Sequence, residues 1–470
     1  MFAFCVGHDD GLDIDIFCHL CMLWVTRHTV STHCALIERS LFVPTMSYVH
    51  RLVGLLCFSL VCCRVVEAVA RTTAHVTSFI PHGGLQFGIR PPLMRSSTFR
   101  DTTTGSGDVG CPCANVSHCL PVARRRAHEL FAFQVEPSNW RHYNWTHLTT
   151  IALFGGDLDN DMLCFAHSQG VRVVWGVGFS ASQLNNASAR EGWVSQTVAQ
   201  VVGTFTDGVN VDIENPIAAG SEQEHNLGVL LQDLRTALTT ASPLFQLTFD
   251  VAWRPGGVDG RNYNYSRIME VCDFVVIMDY DTRSQVFPPH PCIAGPNAPI
   301  NTEVTGINEF IALVRGGHGG AARKKLVLGV PWYGYDYTCI GSGVSPTATV
   351  CPIASVPFRG VNCSDAAGSQ LPLPRLNDLA QSINAMTPVL MNVTGGYATF
   401  NYVEHKRDTS EAVVHQVWFD PPAVLREKYA VARAIGILGL SMWAVDFLSN
   451  DARHAAETAA MWQAMDVFFD

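Results

Sequence analysis

The 470-residue chain lacks the charge balance and the long apolar run that would place it on nucleic acid or in a membrane. Lys and Arg together number 31 against 41 Asp and Glu, and the formal net charge is −10. This balance gives no basic footprint for nucleic acid or for an anionic membrane surface. The uncharged apolar run Leu52–Cys63 has twelve residues, whereas a transmembrane helix needs about 20. We also find no internal repeat shorter than a strand–helix unit.

The short apolar run has the anatomy of a secretory signal peptide. Arg51 precedes the run, and Ala68-Val69-Ala70 follows it as a small-x-small cleavage site. We therefore predict a signal peptide over residues 46–70, starting at Met46, with a signal anchor as the alternative. Residues 1–45 are then a non-native upstream extension, and residues 71–110, rich in Thr, Ser, Gly, Arg and Pro, form a disordered linker or pro-segment. The predicted mature catalytic domain covers residues 111–470.

Nine of the sixteen cysteines fall in the predicted mature part, which favours disulfides in an oxidising compartment. An odd number leaves at least one free thiol, for which we favour Cys164 or Cys272. The cysteines Cys339, Cys351 and Cys363 cluster and predict a bridge, although its connectivity stays open. A zinc site formed by Cys111, Cys113 and Cys119 is the rival interpretation of the first group. Six sequons are consistent with a glycoprotein, at Asn115, Asn144, Asn186, Asn264, Asn362 and Asn392.

From about residue 129 onward, short β-rich runs alternate with amphipathic stretches. The predicted strands are Leu130–Val135, Thr149–Phe154, Arg172–Gly176, Gly208–Ile213, Gln246–Val251, Phe274–Asp279, Leu326–Val330 and Gly436–Trp443. Between them lie helical patterns such as Glu222–Ala241, where leucines mark one face. Eight strands joined by helical crossovers predict an α/β fold, the (β/α)8 TIM barrel. The long interval before the last strand predicts an inserted α+β subdomain between strands 7 and 8, over residues 337–421.

The fourth predicted strand carries the clearest functional signal. In the segment Asp207–Glu214, three apolar residues alternate with Asn210, Asp212 and Glu214, so that these three polar side chains share one face. Buried parallel strands are usually continuous apolar runs. The alternatives are a half-exposed antiparallel strand, or a barrel strand that delivers a carboxylate to the C-terminal rim, where barrel active sites lie. The surrounding pattern favours the second.

Two further rim positions carry aromatic or acidic residues. Tyr280 and Asp281 end the sixth predicted strand, and Trp443 closes the eighth. Each aromatic residue is interpreted in two ways, as packing or as part of a site: Tyr280 as a hydroxyl donor, Trp443 as a platform beneath a sugar ring. The rim position favours the functional interpretation. The acidic run Asp157–Asp161 lacks the glycine and glutamate of a calcium loop, and we expect no metal or organic cofactor.

These residues carry a family resemblance. The segment Asp207–Glu214 resembles the DxxDxDxE signature of family 18 glycoside hydrolases, with Asn210 in place of the middle aspartate. The segment Met278–Asp281 resembles the family's sixth-strand motif, and Trp443 its eighth-strand tryptophan. Several other segments resemble a lysosomal branch of the family: Cys111–Cys113, Thr248–Trp253, Gly329–Cys339, Val356–Gly360 and Cys363–Gly368. One departure is Trp175–Gly178, which lacks the Ser-x-Gly-Gly of many chitinases and so leaves the shape of the glycone pocket open.

The resemblance implies a glycosidase that cleaves β-1,4 bonds between N-acetylglucosamine units with retention, the substrate's acetamido oxygen being the nucleophile. Glu214 would act as general acid and then general base. Asp212 would orient the acetamido N–H, stabilise developing positive charge and help to keep Glu214 protonated. Tyr280 would donate its hydroxyl to the acetamido oxygen.

The resemblance also implies a set of substrate-binding residues. Asn210 would hydrogen-bond Asp212, Trp443 would lie beneath the reacting sugar, and Asp281 would bind a sugar hydroxyl. Asp207, Met278 and Trp332 complete the expected binding residues. The expected partners are N-acetylglucosamine oligosaccharides, without nucleic acid and without membrane contact after signal removal, and the expected state is a monomer.

Three functional classes follow from the resemblance. The first is a lysosomal chitobiase that acts on the chitobiose core of asparagine-linked glycans from the reducing end. The second is a secreted endo-chitinase or endo-β-N-acetylglucosaminidase with the same chemistry. The third is an inactive chitin-binding lectin, which retention of Glu214 disfavours.

Overall fold

A computed structural model describes residues 110–123, 126–285, 292–313, 319–341, 343–405 and 412–470. The predicted upstream extension and signal peptide, and the predicted linker up to residue 109, lie outside these residues. The described part contains a closed barrel of eight strands and a separate antiparallel sheet. The predicted (β/α)8 barrel with an insertion is therefore confirmed.

All eight predicted barrel strands are present, with ends shifted by up to three residues. They are β1 (Glu129–Gln134), β2 (Thr150–Leu153), β3 (Arg172–Val177), β4 (Gly208–Val211), β5 (Gln246–Ala252), β6 (Phe274–Met278), β7 (Leu326–Pro331) and, after the insertion, β13 (Gly439–Trp443). Every neighbouring pair is parallel, and β1 closes the ring by pairing with both β2 and β13. The C-terminal ends of all eight strands therefore meet at one rim.

Helices connect the strands and cover the outside of the barrel. They are α1 (Asn160–Ser168), α2 (Ala187–Gly203), α3 (Glu222–Ala241), α4 (Tyr265–Val271), α5 (Ile300–Leu313), α6 (Gly319–Arg323), α7 (Leu373–Ala380) within the insertion, α8 (Pro422–Ile435), α9 (Ala455–Gln463) and α10 (Asp466–Phe469). Helix α3 has the bounds predicted from its leucine spacing, and Ser221 caps its first turn by accepting from the Glu224 N–H. None of the helices among these residues is long and apolar enough to cross a membrane.

The strand residues alternate between two separate apolar cores. Phe131, Phe133 and Phe274 point into the barrel, where they form an interior cluster with small and branched side chains. Their strand neighbours, such as Leu130, face outward and join the larger cluster between barrel and helices. Successive residues of each strand therefore face the barrel interior and the surrounding helices in turn.

The insertion is an antiparallel sheet that begins earlier than predicted. Its strands are β8 (Tyr333–Thr338), β9 (Gly368–Pro372), β10 (Leu390–Asn392), β11 (Tyr397–His405) and β12 (Ala412–Phe419), in the spatial order β10-β11-β12-β8-β9. The predicted start at residue 337 is four residues late, because β8 follows β7 after Trp332 alone. The tyrosines of β8 (Tyr333, Tyr335 and Tyr337) pack into a third apolar cluster beneath the sheet.

Four disulfides pair eight of the nine described cysteines: Cys111–Cys119, Cys113–Cys164, Cys292–Cys363 and Cys339–Cys351. The free thiol among them is the buried Cys272, one of the two expected candidates, whereas Cys164 is paired. The zinc interpretation of the first three cysteines is wrong, since each of their sulfurs is committed to a disulfide. The predicted bridge within the insertion is Cys339–Cys351.

Candidate active site

The site lies where β4 ends at the C-terminal rim. The alternation predicted for this strand is present, because Val209 and Val211 face the outer core while Asn210 is buried inside the barrel. The Glu214 side chain, beyond the end of the strand, is 46% exposed. Asp212 lies just after the last strand residue, and its N–H still donates to the Val177 carbonyl at 2.9 Å. Since β4 pairs in parallel with β3 and β5, the half-exposed antiparallel alternative is wrong.

Glu214 is held by two arginines from different parts of the chain. Arg261, on the loop after β5, donates to Glu214 Oε2 at 2.9 Å and to Asp259 Oδ2 at 3.0 Å. Its side chain is only 6% exposed, so this cation is buried beside the carboxylate. Arg359, from a turn of the insertion, donates to the backbone oxygen of Glu214 at 2.7 Å. The insertion therefore touches the strand segment that carries the candidate acid.

The pKa of Asp212 is shifted by burial and by two neighbouring charged groups. Burial raises its pKa well above the ordinary aspartate value, the nearby charge of Glu214 raises it further, and Arg261 lowers it. Its Oδ1 atom is buried and has no hydrogen-bond partner among the described residues. A carboxyl oxygen that is buried without a donor favours the protonated form, in the same direction as the raised pKa of Asp212.

Asn210 does not make its expected contact with Asp212. Its side-chain nitrogen donates instead to Thr248 Oγ1 at 3.0 Å and to Asp250 Oδ1 at 2.9 Å, both on the neighbouring strand β5. The expectation fails because β4 and β5 are in register at Asn210 and Thr248, which puts cross-strand partners closer than the next residue along the strand. Asp250 is 2% exposed, and burial followed by the charge of Asp212 raises its pKa.

Tyr280 and Asp281 both lie at the same rim, in different environments. Burial raises the pKa of Tyr280 well above its usual value, and the charges of Asp250, Asp281, Glu214 and Asp212 raise it further, so its hydroxyl keeps its proton. Asp281 Oδ1 accepts from Tyr333 at 2.6 Å and from Tyr335 at 3.0 Å. Burial raises the pKa of Asp281 to about 6. Asp281 thus joins barrel and insertion, and a sugar contact stays a prediction.

Trp443 combines the two interpretations offered for it. Its ring packs on Phe133 and Phe154 of the barrel interior, with centroids 5.2 and 5.5 Å apart, yet the side chain remains partly exposed. It is therefore the top layer of the interior core and an aromatic surface at the rim. Met278, the last residue of β6, lies four residues after Phe274, so its side chain also faces the barrel interior. It is partly exposed at the rim.

Two expected binding residues lie elsewhere, and their assignment is corrected. Asp207 precedes β4 at the opposite end of the barrel, fully buried, and accepts from His167 Nε2 at 2.9 Å and from the Val122 and Val173 N–H groups. Trp332 is 1% exposed and packs edge-on against Trp462 between barrel and helices. Neither side chain can reach a ligand at the rim.

The structure adds residues that sequence reasoning missed. Asp250 had a usable signal, because Thr248 and Asp250 alternate with apolar residues in β5 as Asn210 and Asp212 do in β4. Arg261 and Arg359 lie in loops without periodicity, and only the fold brings them to Glu214. Both Asp259 and Arg359 have positive φ angles, 54° and 42°, so the two loops turn sharply at the site.

The sequence of this barrel matches a known family. The family model of glycosyl hydrolases family 18 matches residues 164–447. Rat di-N-acetylchitobiase is 37% identical over 361 residues, covering 76% of this chain and 92% of the rat protein. Human di-N-acetylchitobiase is 35% identical over 88% of its length, and Dictyostelium discoideum probable di-N-acetylchitobiase 2 is 37% identical over 91%. The chain belongs to family 18 of the glycosyl hydrolases and is a glycosidase.

Solved structures agree with the barrel. The class V chitinase from Nicotiana tobaccum is similar with a TM-score of 0.55 and 18% identity, covering 73% of this chain and all of that one. A chitinase from Chromobacterium violaceum is similar with a TM-score of 0.54 and 19% identity, covering 73% and 99%. At these identities the similarity concerns the fold alone.

Proposed function

We propose that the enzyme hydrolyses β-1,4 bonds between N-acetylglucosamine units by a retaining mechanism in which the substrate's acetamido oxygen attacks the anomeric carbon. The observation that carries this is that Glu214 is the half-exposed carboxyl of the motif, while Asp212 lies two residues behind it, partly buried and with its Oδ1 atom fully buried. A pair of carboxylates flanking the bond is the usual arrangement, and family 18 is an exception to it.

Glu214 acts in both steps. It first gives a proton to the leaving glycosidic oxygen, and as carboxylate it then takes a proton from the water that opens the oxazolinium intermediate. The ion pair with Arg261 suits the second, ionised form. We therefore expect the Arg261 contact to loosen when Glu214 acts as the acid. Two successive displacements at one carbon restore its configuration.

Asp212 and Tyr280 fix the nucleophile. Asp212 faces the acetamido N–H and, once ionised, stabilises the positive charge of the intermediate. The Tyr280 hydroxyl keeps its proton because of burial and four neighbouring acids, and it donates that hydrogen to the acetamido oxygen. Trp443 supplies the apolar surface beneath the reacting ring, which is a common function of an exposed aromatic at a sugar site.

Substrate and compartment are part of this proposal. Relatives matched over about nine tenths of their length are named di-N-acetylchitobiase, which supports chitobiose-type substrates. We assign the enzyme to the chitobiose core of asparagine-linked glycans and to the lysosome, as the resemblance of its motifs implies. Five of the six sequon asparagines are exposed, and Asn144 is half-buried, as glycosylation would require. The endo-chitinase remains the second candidate, since the exposed Glu214 would serve it equally.

Substrate analogues test the mechanism. Chitobiose-type substrates should be cleaved, whereas analogues with a free 2-amino or 2-hydroxyl group on the reacting sugar should bind and stay intact. Comparable rates on both, or a covalent sugar ester trapped on Asp212, would contradict the proposal. A time course on a chito-oligosaccharide of four or five sugars distinguishes the candidates: early N-acetylglucosamine from the reducing end supports the chitobiase, and early dimers and trimers support the endo-enzyme.

A further inference from the structure

Asp250 is a buried acid of the site to which the mechanism above gives no role. It lies in β5 with its side chain inside the barrel, next to the catalytic strand, and it is 2% exposed. The register that pairs Val211 with Phe249 places the following residues, Asp212 and Asp250, beside each other. Two carboxyl groups of different strands therefore lie side by side beneath Glu214.

The Asn210 amide holds one member of this pair. Its nitrogen donates to Asp250 Oδ1 at 2.9 Å, while its oxygen is buried without a partner among the described residues. Asp212 Oδ1, two residues along the same face, is a second buried acceptor without a donor among them. A carboxylate is costly to bury without donors, so a proton held between Asp212 and Asp250 lowers the charge on this donor-poor face.

The local charges agree with one proton in the pair. The titratable groups that act on Asp250 are Asp212 and Glu214 beyond β4, Tyr280 beyond β6 and, from the outer core, Cys272. All of them are neutral or negative, and Arg261, the cation that acts on Asp212, is already shared by Glu214 and Asp259. Adjacent buried carboxyls under these conditions retain one proton between them.

We propose that Asp250 is a positioning residue whose carboxyl shares one proton with the neighbouring carboxyl of Asp212. When Asp212 is protonated, Asp250 bears the pair's negative charge, held by the Asn210 N–H. When the O–H bond of Asp212 breaks and the proton bonds to the Asp250 carboxylate, Asp212 carries the charge where the intermediate becomes positive. The proton stays within the pair, so the total charge does not change. This inference rests on the proposed function, in which Asp212 faces the acetamido group.

The inference also explains why an amide is sufficient at position 210. A carboxyl there would resemble the family signature more closely, yet it would add a third acid to a pair that already shares a proton. With Asp250 on the adjacent strand, the amide nitrogen has two acceptors in β5, Thr248 Oγ1 and Asp250 Oδ1. The acid missing from the β4 motif is thus supplied by β5.

The test is a carboxyl exchange. Asp250→Asn should lower kcat by up to about 100-fold, the order of loss that misplacement of a reacting group can cause, with KM little changed. The acid limb of its pH–rate profile should move to lower pH, because Asp212 loses a like charge. The double variant Asn210→Asp/Asp250→Asn moves the carboxyl from β5 to position 210 of β4, on the same face as Asp212. It should recover most of kcat and return the acid limb to its wild-type pH.

Controls separate this result from misfolding. Asp273→Asn removes an acid at the opposite end of the barrel, paired with Arg235, and should leave kcat and the pH profile unchanged. Thermal midpoints of all variants show which are folded, and if Asp250→Asn fails to fold, the exchange variant and Asp250→Glu are compared instead. A folded Asp250→Asn with wild-type kcat and pH profile, or an exchange variant that recovers nothing, overturns the proposal. If the wild type does not cleave chitobiose-type substrates, the proposed function fails instead.

Discussion

Acidic side chains at the two ends of the barrel differ in how many hydrogen-bond donors surround them. At the N-terminal end, Asp207 accepts from His167 and two backbone N–H groups, and Glu129 forms a two-pronged ion pair with Arg172 at 2.8 and 2.9 Å. At the C-terminal rim, Asp212 and Asp250 have few donors and raised pKa values. Charges that are saturated by donors support the fold, whereas charges left short of donors are available for a reaction.

The largest expected effect concerns Glu214. Replacing it with Gln keeps its size and much of its hydrogen bonding but removes the transferable proton, so kcat should fall by at least about 10²–10⁴-fold. Because the side chain is half-exposed, the unfolding midpoint should change little. Turnover close to wild type in a folded Glu214→Gln variant, measured on a chitobiose-type substrate, would refute the assignment.

Asp207 should show the reverse pattern. Asp207→Ala leaves His167 and two buried N–H groups without their acceptor, and we expect a loss of about 3–5 kcal/mol in the free energy of unfolding. The kcat per folded molecule should be unchanged. Asp212→Asn is the matched variant at the other end: most activity should be lost while stability is kept or raised. Denaturant titration with active-site-normalised rates measures both, and equal effects at the two ends would contradict the comparison.

Stability should depend on pH in a direction set by the buried acids. Burial raises the pKa of Asp279 to about 7 and those of Asp281 and Asp446 to about 6. The folded state therefore binds protons more tightly than the unfolded chain, and this contribution is complete below the ordinary aspartate pKa and lost as pH rises through about 6 to 7. Thermal midpoints should fall by several degrees between about pH 5 and pH 8. Asp279→Asn should flatten that slope, and a midpoint that rises over this interval would disprove the assignment.

The smallest expected effect belongs to Arg359. Arg359→Ala removes one partly exposed hydrogen bond to the Glu214 backbone, worth about 0.5–1.5 kcal/mol, and activity should fall less than tenfold. Arg359→Lys retains a donor, so its activity should lie between those of Arg359→Ala and the wild type. A loss as large as that of Glu214→Gln would instead make Arg359 part of the reacting machinery.

Alternation explains how much of the fold and site could be predicted. Eight β-rich runs that alternate with amphipathic stretches were enough to predict the barrel, and period two in the fourth run was enough for the shared face of Asn210, Asp212 and Glu214. The same rule argues against two residues that we placed in the site. Asp207 is two residues before Val209 and Trp332 two residues after Val330, and both valines face the outer core, so these two side chains also point away from the barrel interior. In both cases the family motif took precedence over the strand geometry.

Other site contacts had no signal in the sequence. Arg261 and Arg359 approach Glu214 from loops 47 and 145 residues away along the chain, and neither loop has a periodic pattern. The start of the insertion was set too late because β8 follows β7 without a turn-forming residue. Partners of this kind depend on tertiary geometry, which local patterns do not encode.

The Arg359 contact has a consequence for the history of the site. The guanidinium binds a main-chain carbonyl, an atom that every amino acid possesses, and not the catalytic side chain. Mutation of codon 214 therefore changes the chemistry without removing the attachment point of the insertion. A lineage that lost the glutamate would keep the architecture around it, and the same scaffold could pass from cleaving a sugar to merely holding one.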